Sequence, residues 1–243
     1  MRFGILKAGT ATRRTRERVG DMDAQFMALL AQPGQQWETF DAEHGEVPAD
    51  PGAFDALLIT GSAASVCDAD PWIERLLETI RTAYAQQVPL LGICFGLQAV
   101  AQALGGKVAP NPQGWDLGVA ALELTEAGRR VPTLAGAAQP LQILESHSDI
   151  AVALPPGAVV LAASPRTPVE IFTLGERVLC LQGHPEMDRE MVRELLEKRS
   201  QKGLLDPQRA AEGEASLRLT PHTAFLQGWL RAFLRDGRMP TAA

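Results

Sequence analysis

The sequence predicts an α/β fold in which a mostly parallel central sheet is flanked by helices. Two patterns carry that reading. Short, wholly apolar runs alternate with longer amphipathic stretches. The clearest run, Ala56-Leu57-Leu58-Ile59-Thr60, shows no polar alternation and ends in Gly61-Ser62, as expected for a parallel strand buried on both faces and leaving the sheet into a loop.

The elements follow in order. Phe3-Gly4-Ile5-Leu6 opens as a buried strand, and Ala24 to Leu30 continues with helical spacing. Asp70 and Pro71 start a helix that carries Trp72, Leu76, Leu77, Ile80 and Tyr84, because Asp suits the cap and Pro the first turn. Val88 to Ile93 is another buried strand, and Leu97 to Leu104 a helix stopped by Gly105-Gly106. The stretch from Val119 to Ser164, richer in Gly, Pro and β-type runs, predicts strands at the sheet edge. Val178 to Gln182 is the last core strand, and Met187 to Lys198 the helix after it. Residues 200–220 are polar and weakly patterned, a surface excursion; Phe225, Leu226, Trp229, Leu230, Phe233 and Leu234 then mark a C-terminal helix docked on the body. With no repeat and no dividing linker, residues 1–243 are expected to form one domain.

At 46% hydrophobic and 21% charged residues, the chain can bury a sizeable core. A net charge of −6 argues against nucleic-acid or anionic-membrane partners, and no apolar run reaches spanning length. The basic run Arg13 to Arg18 reads as a solvated loop or helix face. Cys67, Cys94 and Cys180 have neither CxxC pairing nor metal-ligand spacing with histidine. An odd, sparse set without a signal-peptide pattern points to a reducing cytoplasm, and neither metal nor cofactor is expected.

Gly92-Ile93-Cys94-Phe95-Gly96-Leu97-Gln98 carries most of the chemistry. It sets Cys94 at a sharp strand-to-helix turn, with glycines where the flanking chain must pack closely. The helix N-terminus there stabilises a thiolate, and the Phe95 N–H faces a developing oxyanion. Of the four histidines, His184 stands out, because Gly183-His184-Pro185-Glu186 follows an apolar strand. Pro185 keeps His184 extended, and Glu186 then projects to the same side, where a carboxylate can hold the imidazole's tautomer. Cys180 sits within an apolar strand and is expected to be inert; Cys67 lies in a loop.

These two motifs resemble the G-x-C-x-G-x-Q and H-P-E signatures of the class I (triad) glutamine amidotransferases. Gly114-Trp115 and Ser146-His147-Ser148-Asp149 resemble segments of the GMP-synthase-like branch. The resemblance implies a flavodoxin-like amidotransferase architecture. It implies that Cys94, His184 and Glu186 form a catalytic triad, that Gly61 and Phe95 supply oxyanion-hole N–H groups, and that Gln98, Ser146 and His147 help hold a glutamine head group. Two segments depart from the family pattern: Thr60-Gly61-Ser62-Ala63 lacks the usual Gly-Gly-Pro, and Ser148 stands where glycine is usual.

The implied substrate is a small molecule, glutamine or another γ-glutamyl compound. No pyrophosphatase loop or Walker-type motif is present, so an ammonia-accepting synthetase would be a separate subunit. The alternatives are a stand-alone γ-glutamyl peptidase, an α/β-hydrolase, in which the acid normally precedes the histidine, and a binding-only relative.

Overall fold

In a computed structural model, residues 1–239 are described. The first half of the chain builds β1 (Arg2–Lys7), α1 (Arg13–Val19), α2 (Met22–Leu30), β2 (Gln36–Asp41), β3 (Ala56–Ile59), α3 (Pro71–Ala85), β4 (Leu90–Ile93), α4 (Phe95–Ala103) and β5 (Lys107–Pro110). The middle adds β6 (Asp116–Leu124), the short α5 (Glu126–Arg130) and α6 (Pro132–Ala135), β7 (Leu141–His147), β8 (Asp149–Ala153), β9 (Ala158–Ala163), β10 (Ile171–Leu174) and β11 (Val178–Leu181). Three helices follow: α7 (Arg189–Gln201), α8 (Pro207–Ser216) and α9 (Thr223–Asp236).

The main sheet has nine strands in the order β2-β1-β3-β4-β11-β10-β9-β6-β7. From β2 to β11 neighbours run parallel. From β11 onward each pairing is antiparallel, so the strands expected at the edge form a broad antiparallel wing. β5 and β8 make a separate two-stranded ribbon. The register aligns Ile59 with Gly92 and Leu181 with Ile93. Three adjacent parallel strands therefore end on one rim, the place where α/β sheets hold their ligands.

One face of the sheet packs on α2 and α9 through Phe26, Leu30, Leu226, Trp229 and Phe233; the other packs on α3 and α4 through Leu76, Ile80, Leu97 and Val100. Each such side chain contributes roughly 1.5–3 kcal/mol on burial. The helical spacing read near the C-terminus is thus the buried stripe of α9.

Differences from the sequence reading have local causes. α4 starts at Phe95 rather than Leu97, because the turn at Cys94 is itself the helix cap. Asp70 occupies the cap of α3 but makes no side-chain cap bond. β2 and β10 fall outside the strands that the apolar runs predict: the first mixes charged with apolar residues, and the second has only Ile171 to Leu174. The polar stretch 200–220 contains α8, which lies against β6. A Cβ at Gly213 would come 3.2 Å from the Leu117 carbonyl oxygen, and the Val119 N–H donates to Ser216 Oγ at 2.8 Å. The basic run is α1, tied to α7 by Arg14–Glu190 at 2.9 Å and Arg18–Asp188 at 2.7 Å. No helix of the described residues is long and apolar enough to cross a membrane.

Candidate active site

Cys94 caps α4 with φ 55° and ψ −107°, a conformation that side chains resist. The backbone holds it there: its N–H donates to the Leu181 carbonyl at 2.8 Å, and its carbonyl accepts from Gln98 N–H at 3.1 Å. The flanking glycines are required by contact. A Cβ at Gly92 would sit 2.6 Å from the Gly96 carbonyl oxygen, and one at Gly96 would strike the Ile59 carbonyl oxygen.

The other two thiols differ in kind. Cys180 is fully buried, and burial pushes its thiol well above the usual range. Cys67 is exposed and its Sγ lies 3.5 Å from the Val108 carbonyl oxygen. A small alkylating reagent is therefore expected to leave Cys180 unmodified until the chain unfolds, as peptide mapping would read. Labelling of Cys180 at a native-state rate comparable to Cys67 would contradict its burial.

His184 leaves β11 just after Gln182-Gly183, and its N–H donates to Leu144 O at 2.7 Å. Nδ1 lies 2.7 Å from Glu186 Oε1, with both side chains about 95% buried. A carboxylate at Nδ1 places the neutral ring's proton on that nitrogen, which leaves Nε2 for other work. Nε2 has no hydrogen-bond partner among the described residues. A Cβ at Gly61 would be 3.2 Å from His184 Cε1 and 3.8 Å from Cys94 Cβ, so ring and thiol meet across this glycine. Burial alone would lower the His184 pKa, but the charges of Glu186 and Cys94 raise it well above the ordinary histidine value. Cys94 thus acts on the ring at close range without an aligned hydrogen bond, a geometry common before substrate binds.

Thr60 fixes the peptide at Gly61. Its hydroxyl donates to the Gly61 carbonyl at 3.0 Å and accepts from Ala8 N–H at 3.0 Å. Neither the Gly61 nor the Phe95 N–H donates to a group of the described residues. Gly61→Val is expected to push against the imidazole and displace a donor, lowering single-turnover acylation by about 10²–10³, with the melting temperature near that of the parent. Full activity in a folded Gly61→Val protein would remove Gly61 from the site.

The three residues expected at a head group reach the same region in different states. Gln98 is buried and donates to the Asp149 carbonyl at 2.8 Å and to Gln182 Oε1 at 3.4 Å. Ser146 accepts from Arg199 Nη1 at 2.9 Å. His147 turns inward, with Nδ1 3.1 Å from the Asp149 carbonyl and Nε2 3.3 Å from Glu145 Oε2. All three line a cavity of about 250 Å³ beside Cys94.

Sequence reasoning missed four neighbours. Gln182 donates to Cys94 Sγ at 3.7 Å; the one available signal was a polar residue closing an apolar strand. Arg199 lies 4.1 Å over the Trp115 ring. Glu145 and Glu170 are buried together, and burial raises both carboxyls well above the usual range, helped by the charge of Asp116 at Glu145 and of Glu145 at Glu170. All four of their carboxylate oxygens lack a hydrogen-bond partner among the described residues. A side chain at Gly183 would run into Glu145. Among the described residues, these acids form with His147 a buried group whose donor atoms cluster as metal ligands would; Asp41, Glu43 and His44 form another at the surface.

Comparison with known proteins gives a consistent picture. The family model for glutamine amidotransferase class-I matches residues 29–199. The chain is 26% identical over 221 residues to γ-glutamyl peptidase 3 of Arabidopsis thaliana, covering 89% of each. It is 32% identical over 209 residues to γ-glutamyl-L-1-hydroxyisopropylamide hydrolase of a Pseudomonas species, covering 77% of this chain and 70% of that one. The crystal structure of a glutamine amidotransferase from Methylobacillus flagellatus superposes with TM-score 0.78 at 22% identity, over 99% of this chain and 96% of that one, which establishes the shared fold.

Proposed function

The chain belongs to the class-I glutamine amidotransferase family, and from this membership and the geometry at Cys94 we propose that it hydrolyses the γ-amide bond of a γ-glutamyl compound through a Cys94 thioester. The observation that carries the proposal is the close approach of three groups on one rim: a thiol at a strained strand–helix turn, an imidazole beside it, and a carboxylate 2.7 Å from the far ring nitrogen.

The steps balance as follows. The Cys94 thiolate attacks the γ-carbonyl carbon, forming a C–S bond and an oxyanion opposite the Gly61 and Phe95 N–H groups. The carbonyl re-forms, the C–N bond breaks, and the departing nitrogen takes the proton on His184 Nε2. Water then gives a proton to His184, attacks the thioester carbon and releases glutamate as the C–S bond breaks. Glu186 keeps the imidazolium oriented throughout and exchanges no proton.

Family membership favours glutamine as the substrate, with ammonia passed to a separate synthetase. The relatives named for γ-glutamyl peptides and a γ-glutamyl amide support a second reading, a free-standing hydrolase. Both share the thioester, so the test is common to them. Incubation with 6-diazo-5-oxo-norleucine, a glutamine mimic that alkylates a nucleophilic thiol, is expected to modify Cys94 and stop turnover. An adduct on Cys67 with Cys94 untouched would sink the assignment.

A further inference from the structure

Two cavities meet at the candidate site, and they divide its groups. The first, about 250 Å³, is lined by Cys94, Phe95 and Gln98 together with Ser146 to Asp149. The second, about 300 Å³, is lined by Gly61, His184 and Glu186, with Met22, Met187, Met191 and Leu195 as its large apolar side chains beside polar ones from Thr10 to Thr15 and Gln25. Ser146, Lys198 and Arg199 line both. The thiol thus opens to one cavity and the imidazole to the other. In the proposed chemistry the acyl group stays on sulfur, while the leaving nitrogen takes its proton from His184 and must depart on the imidazole's side.

We infer that the second cavity is the subsite for the leaving amine, shaped for an apolar amino acid linked through its α-nitrogen, so that γ-glutamyl dipeptides with an apolar C-terminal residue are preferred over glutamine. The inference rests on the thioester reading and goes further by naming the leaving group and the residues that select it. Size is the first argument: departing ammonia needs no more room than a water molecule, roughly 30 Å³, against about 300 Å³ here. The walls are the second. Met22 comes from α2, Met187 from the segment after Glu186, and Met191 from α7; unbranched thioethers adapt to apolar groups of differing shape.

Charge is the third argument. Although the chain is net acidic, Lys198 and Arg199 border the cavity without a carboxylate partner among the described residues. Of the acids on α7 and α8, Glu190 and Glu197 pair with Arg14, Glu212 with Arg209 and Glu214 with Arg193, while Glu194 accepts from the Thr15 hydroxyl at 2.9 Å. Arg199 rests instead on Trp115 and Ser146, and burial draws its pKa down to about 10, with the Cys94 charge offsetting only part of that effect. The glutamyl part of any substrate, glutamine included, carries one carboxylate for the two cations that line both cavities; an amino acid leaving group brings an apolar side chain and a second carboxylate. Ammonia brings neither.

The experiment compares kcat/KM on the isolated full-length chain for glutamine, γ-glutamylglycine, γ-glutamylleucine and γ-glutamyl isoamylamide, the last being the leucine compound without its carboxylate. γ-Glutamylleucine is expected to exceed both glutamine and γ-glutamylglycine by at least about tenfold, and to exceed the isoamylamide. Met22→Trp, which fills the cavity, is expected to lower the ratio of γ-glutamylleucine to glutamine about fivefold or more. Lys198→Gln is expected to narrow the gap between γ-glutamylleucine and the isoamylamide. Should Met22→Trp fail to fold, Met191→Ala tests the same wall and is expected to lower the same ratio. Glutamine turned over as well as γ-glutamylleucine, or ratios unmoved by every wall variant, would overturn the subsite while leaving a Cys94 adduct intact. Absence of both turnover and adduct would instead overturn the thioester reading, and this inference with it.

Discussion

Cys94→Ala is expected to abolish acylation by every γ-glutamyl substrate, a loss on the order of 10⁶-fold by comparison with nucleophile removal in other triads. The effect is expected to be chemical rather than structural. Alanine keeps the Cβ, so the residue retains the same strain at φ 55°. The bonds from Cys94 N–H to Leu181 and from Gln98 N–H to residue 94 run through backbone and survive. The lost group is the sulfur that Gln182 contacts. Single-turnover acylation should disappear while the circular dichroism spectrum and melting temperature stay close to the parent. Cys180→Ala provides the contrast: it removes a sulfur from a fully buried strand position, so its effect should fall on stability through packing and leave turnover largely intact. Residual full-rate turnover in Cys94→Ala would mean that the nucleophile is another residue.

Glu186→Gln is expected to slow acylation by about 10²–10⁴-fold with little change in substrate affinity. The amide preserves size and can still bond Nδ1 of His184, but it removes the negative charge 2.7 Å away. That charge heads the influences raising the His184 pKa against the lowering effect of burial. The sign of the pH dependence follows. In the parent, the proton needed by the leaving nitrogen stays on the ring above the ordinary histidine range, so the ring sets the alkaline limb of the rate. Without Glu186 the ring loses its proton at lower pH, and the alkaline limb of the acylation profile should move toward acid. An unchanged limb with an unchanged rate would remove Glu186 from its role beside the ring.

The parts of the candidate site that were legible in the sequence are those whose cause is local in the chain. The turn at Cys94 announces itself because Gly92 and Gly96 fall where backbone meets backbone, and Glu186 reaches His184 because two residues of extended chain place them on one side. Gln98, Ser146 and His147 came from resemblance, and geometry redefines them: the Gln98 amide ties two segments together, and His147 faces buried acids rather than open cavity alone. Arg199 was invisible because its role depends on Ser146, 53 residues away, meeting it across two elements. Glu145 would pass for a solvated carboxylate by composition; only the fold, which buries it on β7 beside His147 and Glu170, makes it a buried acid. The fold divides in the same way. Apolar parallel strands declare themselves, whereas α8 is a polar helix fixed by close approach of small residues to β6, a pattern without an apolar stripe to read.

The turn at Cys94 also bears on how such a protein can drift. A non-glycine residue in that conformation carries a penalty of about 1–3 kcal/mol, a sizeable share of the roughly 5–15 kcal/mol that keeps a domain folded. Glycine at position 94 would relieve it, so the most stable version of this chain is an inert one. Any lineage released from selection for the reaction has a downhill path to a sturdier, silent protein with the same rim and the same cavities, and only continued demand for the chemistry holds the cysteine in place.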